Sequence, residues 1–353
     1  MTLKIALITD THWGVRNDHV AFLDNSKKFL DELFFPYLAE HEISHITHLG
    51  DIVDRRKYIN FNTALRLRED FLDPLLKRNI SLHIIAGNHD TYFKNTNRVN
   101  ALHELIEGKY SNVTTFIEPT VVQLGDLDIL YLPWICDENR KQTMELIRNA
   151  STQIAMGHLE LAGFEMYRGS MVSHGDNVRD FEKFDMVMSG HYHHRSSDGH
   201  IFYLGSHAEF TWSDYDDQKG FHIFDTKTRQ LTFIKNPYRM FNKVWYNDAE
   251  SNPEDIDVKD YAGQFLKVIV TSKNDPYRFD RFIDQLQKVA LDIQIVEDHL
   301  NMNMEDDTDI VREAESTIDI FKHHIEQINI QNLDKVRLQN TIVELYQEAL
   351  TIE

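Results

Sequence analysis

The chain has 353 residues, 42% apolar and 27% charged, an ordinary globular composition with ample material for a buried core. It contains no run of ~18 apolar residues and no basic-then-apolar leader at its start, so neither a membrane span nor a secretory signal is expected. Cys136 is the only cysteine, which excludes a disulfide framework and fits a cytoplasmic, reducing setting. The formal net charge of −20 argues against a generic basic nucleic-acid binder. Some of those carboxylates are candidate metal ligands and others cluster near the C-terminus, so charge alone leaves the substrate class open.

In chain order, residues 3–9 read as a buried strand, 22–40 as an amphipathic helix, 43–49 as a strand, 62–78 as a helix and 80–86 as a strand. This βαβαβ rhythm implies parallel pairing with helices over the sheet. Residues 101–110 read as another helix. From residue 113 onward short strands dominate: 121–124 and 129–132 as a hairpin around Gly125-Asp126, then 154–156, 186–188, 201–204, 221–225 and 231–234. A parallel-rich first half and a strand-rich second half predict two stacked sheets with outer helices. Residues 265–271, 277–290 and 293–296 form a small β-α-β pattern. An acidic, aperiodic segment follows, and then two helices with apolar faces at Ile318, Phe321, Ile325 and Ile328 and at Leu338, Ile342, Leu345 and Ala349. The organisation expected is a main domain over 1–245, a smaller α+β unit over 260–297, an acidic linker over 298–310 and a helical region over 311–353.

Five segments share one layout, an apolar strand running into metal-capable side chains. They are Asp10-Thr11-His12, Gly50-Asp51-Ile52-Val53-Asp54, Gly87-Asn88-His89-Asp90, Gly157-His158 and Gly190-His191-Tyr192-His193. In parallel sheets the carboxyl ends of strands are where sites form, so five distant stretches can deliver ligands to one rim. Carboxylate, amide oxygen and imidazole without thiolate suit manganese, iron or zinc and exclude a structural zinc finger. The glycines before the ligands allow sharp turns and close backbone approach. Each motif alone is weak, because 19 histidines produce chance Gly-His pairs; the ordered set of five is specific.

This set resembles the calcineurin-like metallophosphoesterase superfamily, whose pattern is D-x-H, GD-x-x-D, GNH-D/E, G-H and GH-x-H. The resemblance implies a four-layer αββα sandwich and a dinuclear centre. Asp10, His12, Asp51 and His193 would hold one metal, Asp51, Asn88, His158 and His191 the other, with Asp51 as the bridge. His89 would stand over the scissile phosphate as a catalytic proton donor or charge stabiliser. Paired cations clamp a phosphate and generate a hydroxide nucleophile near neutral pH. Residues 204–225, Gly50–Arg56 and the later β-α-β pattern are similar to the SbcD-type branch of double-strand-break nucleases. Pro133-Trp134, the form around His158–Leu161 and His174-Gly175 are similar to the T-even phage recombination endonuclease subunits of that branch. That likeness implies a manganese-dependent exonuclease on duplex DNA and endonuclease on single strands, with magnesium, iron or zinc as other fitting metals. It further implies a capping unit that binds DNA, a homodimer and a coiled-coil ATPase partner of SbcC type, which the two C-terminal helices would engage. Some relatives carry a histidine where this chain has Asp54, so that histidine's role in handling DNA does not carry over.

Arg55, Arg56, Tyr192 and His174 are candidate substrate contacts, the arginines through phosphate and Tyr192 through base stacking. The plainer readings are a solvated loop for the arginines and core packing for Tyr192. Asp54 and Asp90 are candidates to orient ligands by hydrogen bonds. His45, His48 and His83 read as core histidines, Trp134 and Cys136 as packing. Two other readings share the motifs: a phosphatase or nucleotide phosphodiesterase on small substrates, and a non-catalytic scaffold. The former has no need of the C-terminal extension, and the latter no need of a full ligand set.

Overall fold

The computed structural model describes residues 3–250 and 256–297, with Lys335 and Leu338 as isolated positions. The expected acidic linker and the apolar faces of the C-terminal helices, Leu338 apart, fall outside the described residues.

Two six-stranded sheets form the body. The first runs, edge to edge, Leu231–Lys235, Gly220–Asp225, Lys4–Ile8, His45–His48, Ser81–Ile85, Val113–Phe116. Its last four strands are parallel, three of them as the βαβαβ rhythm predicts, and the first two add antiparallel. The second runs Ser196–Ser197, Ile201–Tyr203, Met186–Gly190, Ile154–His158, Leu127–Leu132, Thr120–Leu124, with a parallel centre and antiparallel edges.

Strand alternation sorts side chains into three apolar layers. Ile5 and Leu7 face the second sheet, while Ala6 and Ile8 face helices. In the second sheet Ile129 and Tyr131 point inward, and Leu130 and Leu132 pack outward against Ile147 of the helix Arg140–Asn149. The result is the expected αββα sandwich: helices, sheet, sheet, helix. Full burial of each such side chain contributes about 1.5–3 kcal/mol. Where a polar group enters the middle layer it is matched, as with Thr47 and the Tyr131 hydroxyl at 3.0 Å.

Both long helices widen partway along. The first runs Val20–Phe29, a π-helical turn Leu30–Phe34, then Phe35–Glu40; the second runs Phe61–Arg66, a π-helical turn Leu67–Leu72, then Asp73–Lys77. Each wide turn precedes a proline, Pro36 or Pro74. Proline lacks an N–H and its ring crowds the carbonyl four residues back, so the helix relieves the clash by widening rather than breaking. The expected helix over 101–110 is a short Ala101–Leu105. The strand Val113–Phe116 and the helix Arg140–Asn149 were not anticipated from the sequence.

A separate three-stranded parallel sheet orders Phe241–Asn247, Phe265–Ser272, Asp292–Glu297, with the helix Pro276–Gln287 packed on it through Phe279, Phe282, Ile283 and Leu286. The β-α-β pattern is there, and Phe241–Asn247 joins it as a third strand. We therefore propose a boundary between the two units near residue 240 rather than 245. Phe22, Phe241 and Phe265 stack where the small sheet meets the body.

Candidate metal centre

The strands Lys4–Ile8, His45–His48 and Ser81–Ile85 of one sheet end on the same side as Ile154–His158 and Met186–Gly190 of the other, and the five motifs meet at that rim. Left-handed backbone makes the meeting possible. Asp10, His12, Asp51 and His191 have φ of 51°, 42°, 55° and 89°, a region that costs a non-glycine residue about 1–3 kcal/mol. A side chain just beyond a strand end is thereby turned back across the rim. Gly50, at φ 93°, leaves room for His158, because an added Cβ would lie 2.5 Å from its Nδ1.

The donor atoms fall into two groups. Asp10, His12 and His193 each bring one within 4.8 Å of the others, and so do Asp51, His158 and His191. Nε2 of His12 and of His193 face each other at 3.0 Å. The Asn88 amide oxygen lies 2.9 Å from His158 Nε2 and 3.0 Å from His191 Nδ1. Asp51 sits between the groups, its Oδ2 3.8 Å from His12 Nε2 and 3.3 Å from His158 Nε2. Buried imidazoles, carboxylates and an amide oxygen converging on two small volumes suit divalent cations: this donor set fits such metals and offers no thiolate.

The electrostatics are those of charges confined together. Burial alone would raise Asp51, but the imidazoles of His158, His89 and His12 hold it well below the usual carboxylate range. Asp10 is raised, burial and Asp51 outweighing His158 and His12. His12 is pushed up to about 9 against its burial by Asp54, Asp51 and Asp10, and His158 to about 9 by Asp51 and Asp10. Burial and the facing His12 depress His193.

The ligands are braced from behind. His12 Nδ1 lies 3.3 Å from Asp54 Oδ1, and His158 Nδ1 lies 2.8 Å from the Leu49 carbonyl. Such contacts fix ring orientation and tautomer in metal-binding histidines. The Asp90 carboxylate accepts from the backbone N–H groups of Asp51, Ile52, Val53 and Gly87 at 2.8–3.1 Å, tying the second motif to the third. Burial and Asp51 push Asp90 up to about 7 against the Gly87 and Val53 N–H groups and the charge of His158. His89 donates its backbone N–H to Asp51 Oδ1 at 2.7 Å, and its Nδ1 lies 2.5 Å from the Asp54 carbonyl. Its ring meets His12 edge-on at 4.9 Å and shares a third donor cluster with His12 and Asp54.

The substrate-contact candidates separate. Tyr192 is a correction: it is fully buried, its hydroxyl donates to the Leu161 carbonyl at 3.0 Å, and its ring stacks on Tyr203, so it presents no face to a base. Arg55 is held by Asp18 at 2.7 Å and Asn17 at 2.5 Å. Arg56 is partly buried with Nη1 unpartnered, and the charge that most favours its guanidinium is Asp51. His174 lies at the margin, 3.2 Å from Glu160 Oε1. Glu160 escaped the sequence reading. It also faces His191 Nε2 at 3.9 Å and is held below the usual carboxylate range, first by His191; only its place two residues after His158 hinted at it. Trp134 packs on the His191 ring at 5.2 Å, and Phe210 edges against His12 and His193. His48 is a buried core histidine, 2.9 Å from the Thr11 hydroxyl.

A fold of two sheets with this rim is that of a metallophosphoesterase, and residues 3–195 match the calcineurin-like phosphoesterase family model. The chain belongs to that family. It is similar over almost its whole length to exonuclease subunit 1 of enterobacteria phage T4, with 32% identity over 352 residues, 98% of this chain and 99% of the relative. It is also similar to the SbcD component of the SbcCD nuclease of Staphylococcus saprophyticus, at 27% identity covering 73% of this chain and 75% of the relative. The SbcD component of Staphylococcus epidermidis is 24% identical over 74% of this chain and 78% of its own length. Among the described residues no helix is long and apolar enough to cross a membrane.

Proposed function

We propose that this chain is the nuclease component of a DNA-end-processing complex, a metal-dependent phosphodiesterase with exonuclease action on duplex DNA and endonuclease action on single strands. The observation that carries the reading is the end-to-end likeness to a phage exonuclease subunit together with the two converging donor groups. Two divalent cations, manganese before magnesium, iron or zinc, would be held by Asp10, His12, Asp51 and His193 and by Asp51, Asn88, His158 and His191. When bound, they supply charge neutralisation at a phosphate and activation of water. The protein's own groups do the rest. Asp54 and the Leu49 carbonyl hold His12 and His158 in register. Asp90 fixes the loop that carries Asp51. His89, anchored by its backbone to Asp51 and through Nδ1 to the Asp54 carbonyl, keeps Nε2 as the nitrogen available to a phosphate oxygen or leaving oxygen. Arg56, partly buried within reach of the Asp51 charge, would add positive charge near a bound phosphate, a role in which Arg55, already paired, is secondary. His174 would contact DNA through the same margin. The small sheet would cap the body and bind DNA, and a homodimer would work with a coiled-coil ATPase in DNA recombination and repair, in the cytoplasm of a host cell.

The test is cleavage of end-labelled duplex and single-stranded DNA by the full chain with manganese, with magnesium or with a chelator, each with and without the partner ATPase. Shortening of DNA ends with manganese, lost with chelator and in His193→Ala, is expected. Intact DNA in every arm, with rapid turnover of a nucleotide monoester, would replace this reading with a small-substrate phosphatase.

A further inference from the structure

Among the four candidate ligand histidines, His158 has its second ring nitrogen hydrogen-bonded to the Leu49 carbonyl and His12 Nδ1 lies 3.3 Å from Asp54 Oδ1, whereas His191 Nε2 lies 3.9 Å from Glu160 Oε1, too far for a hydrogen bond. Among the described residues no hydrogen-bonding partner holds Nδ1 of His193. Its backbone is held instead. Lys219 Nζ donates to the His193 carbonyl at 2.7 Å, from a side chain only 3% exposed. Removing an ammonium from water costs several kcal/mol unless partners replace the solvent. Asp214 at 2.7 Å and Asp217 at 2.9 Å replace it here, so the three donors of Nζ meet three acceptors.

Both carboxylates are themselves fixed. Asp214 accepts from the backbone N–H groups of Phe210 and Thr211 at 2.9 Å, and Asp217 Oδ1 lies 3.0 Å from His194 Nδ1. The Ser206 N–H donates to the same His193 carbonyl at 3.2 Å. Gly205, at φ +72°, runs so close that an added Cβ would lie 2.9 Å from that oxygen. A buried, fully satisfied ion-paired cluster therefore converges on one peptide of the last metal motif, reached from 26 residues further along the chain.

We infer that Lys219 is a positioning residue of the metal centre. By clamping the His193 peptide it aims an imidazole whose ring has no brace of its own at Nδ1, and so sets the affinity of the cation site formed by Asp10, His12 and His193. This rests on the metal-centre reading proposed above. Metal–ligand distances tolerate only about ±0.2 Å, so a small rotation of the His193 peptide is enough to weaken the site. Asp214 and Asp217 act through Lys219, and Phe210, on the turn that Asp214 caps, limits ring motion from the other side.

The test is manganese titration of the full chain followed by the electron paramagnetic resonance signal of the free ion, with thermal unfolding measured in parallel. Lys219→Met removes the donor and is expected to weaken one of two manganese sites by about 10–100-fold, the usual cost of losing a partner that orients a ligand. Lys219→Gln retains an N–H donor toward the His193 carbonyl and should fall between Lys219→Met and the wild type. Should Lys219→Met not fold, Lys219→Gln and Asp217→Asn carry the comparison. Affinity that follows the donor to His193 rather than the unfolding temperature supports the inference. Folded variants that bind both ions as the wild type does overturn it. A wild-type chain that binds no manganese overturns the metal-centre reading itself.

Discussion

In the small sheet of residues 241–297 no described non-glycine residue has a positive φ, whereas at the rim of the two large sheets Asp10, His12, Asp51 and His191 all do. The small sheet buries an apolar face, Phe279, Phe282, Ile283 and Leu286 against Val244, Leu266 and Val268. The rim buries carboxylates and imidazoles, with Asp10 and His158 fully enclosed. One region obeys local preference at every position and gains stability from it. The other holds strained backbone and crowded charge in place, which it can do because two sheets and their helices determine its shape from outside. Strain gathered at one rim and absent from the neighbouring unit is what a reactive site borne by a stable scaffold requires.

That contrast can be broken from either side. The largest effect is expected at the rim, where His89→Gln should lower turnover about 100- to 10,000-fold, the range for loss of a general acid or base. Manganese affinity should stay within a few-fold, so a matching loss of bound metal would make His89 a ligand instead. In the small sheet, Phe282→Ala should lower unfolding stability by about 3–5 kcal/mol; because the rim does not depend on that core, manganese binding measured below the unfolding transition should persist. Joint loss of both would show that the two regions are one cooperative unit.

A third experiment concerns His222, on the strand Gly220–Asp225, whose Nδ1 is buried without a partner. Burial, reinforced by Arg195, pushes it down to about 3. Its folded value lies below the unfolded one near 6.5, so the unfolded chain takes up the proton first as pH falls. Stability is full above about 6.5 and is lost from there down to about 3, at about 1.4 kcal/mol per unit. His222→Phe should flatten the fall in urea midpoint between pH 6.5 and 5, a window above most carboxylate titration; an unchanged slope would assign the fall to other groups. The smallest effect is at the helix Pro276–Gln287, where Asp275 accepts from the Arg278 N–H at 3.1 Å. Asp275→Ala should cost about 1 kcal/mol by denaturant unfolding and leave nuclease turnover unaltered.

Much of this was legible in the sequence because it is periodic. Uninterrupted apolar runs at residues 5–8 and 129–132 announced buried strands, and the five motifs announced which strand ends matter. What was not legible depended on a partner far along the chain. Tyr192 lies between two candidate ligands and looks equally able to stack on a base; Leu161 and Tyr203, 31 and 11 residues away in opposite directions, decide that it is core. Arg55 and Arg56 are adjacent and chemically equivalent on paper, yet Asp18 and Asn17 occupy the first while the second is partly buried with Nη1 unpartnered. Phe241–Asn247 mixes polar and apolar residues without a two-residue period, so it does not declare itself a strand until Phe265–Ser272 pairs with it.

By itself, then, the sequence determined the layers, the parallel pairing of the first three strands and the identity of the metal-capable residues, because strand period and residue chemistry are local properties. Tertiary structure alone decided how those residues face one another: the left-handed turns at four ligands, the separation into two donor groups, the carboxylate and carbonyl behind His12 and His158 and the buried ammonium on the His193 peptide. The physical reason is that orientation at a strand end is set by contacts between segments tens to hundreds of residues apart, and no local pattern encodes them.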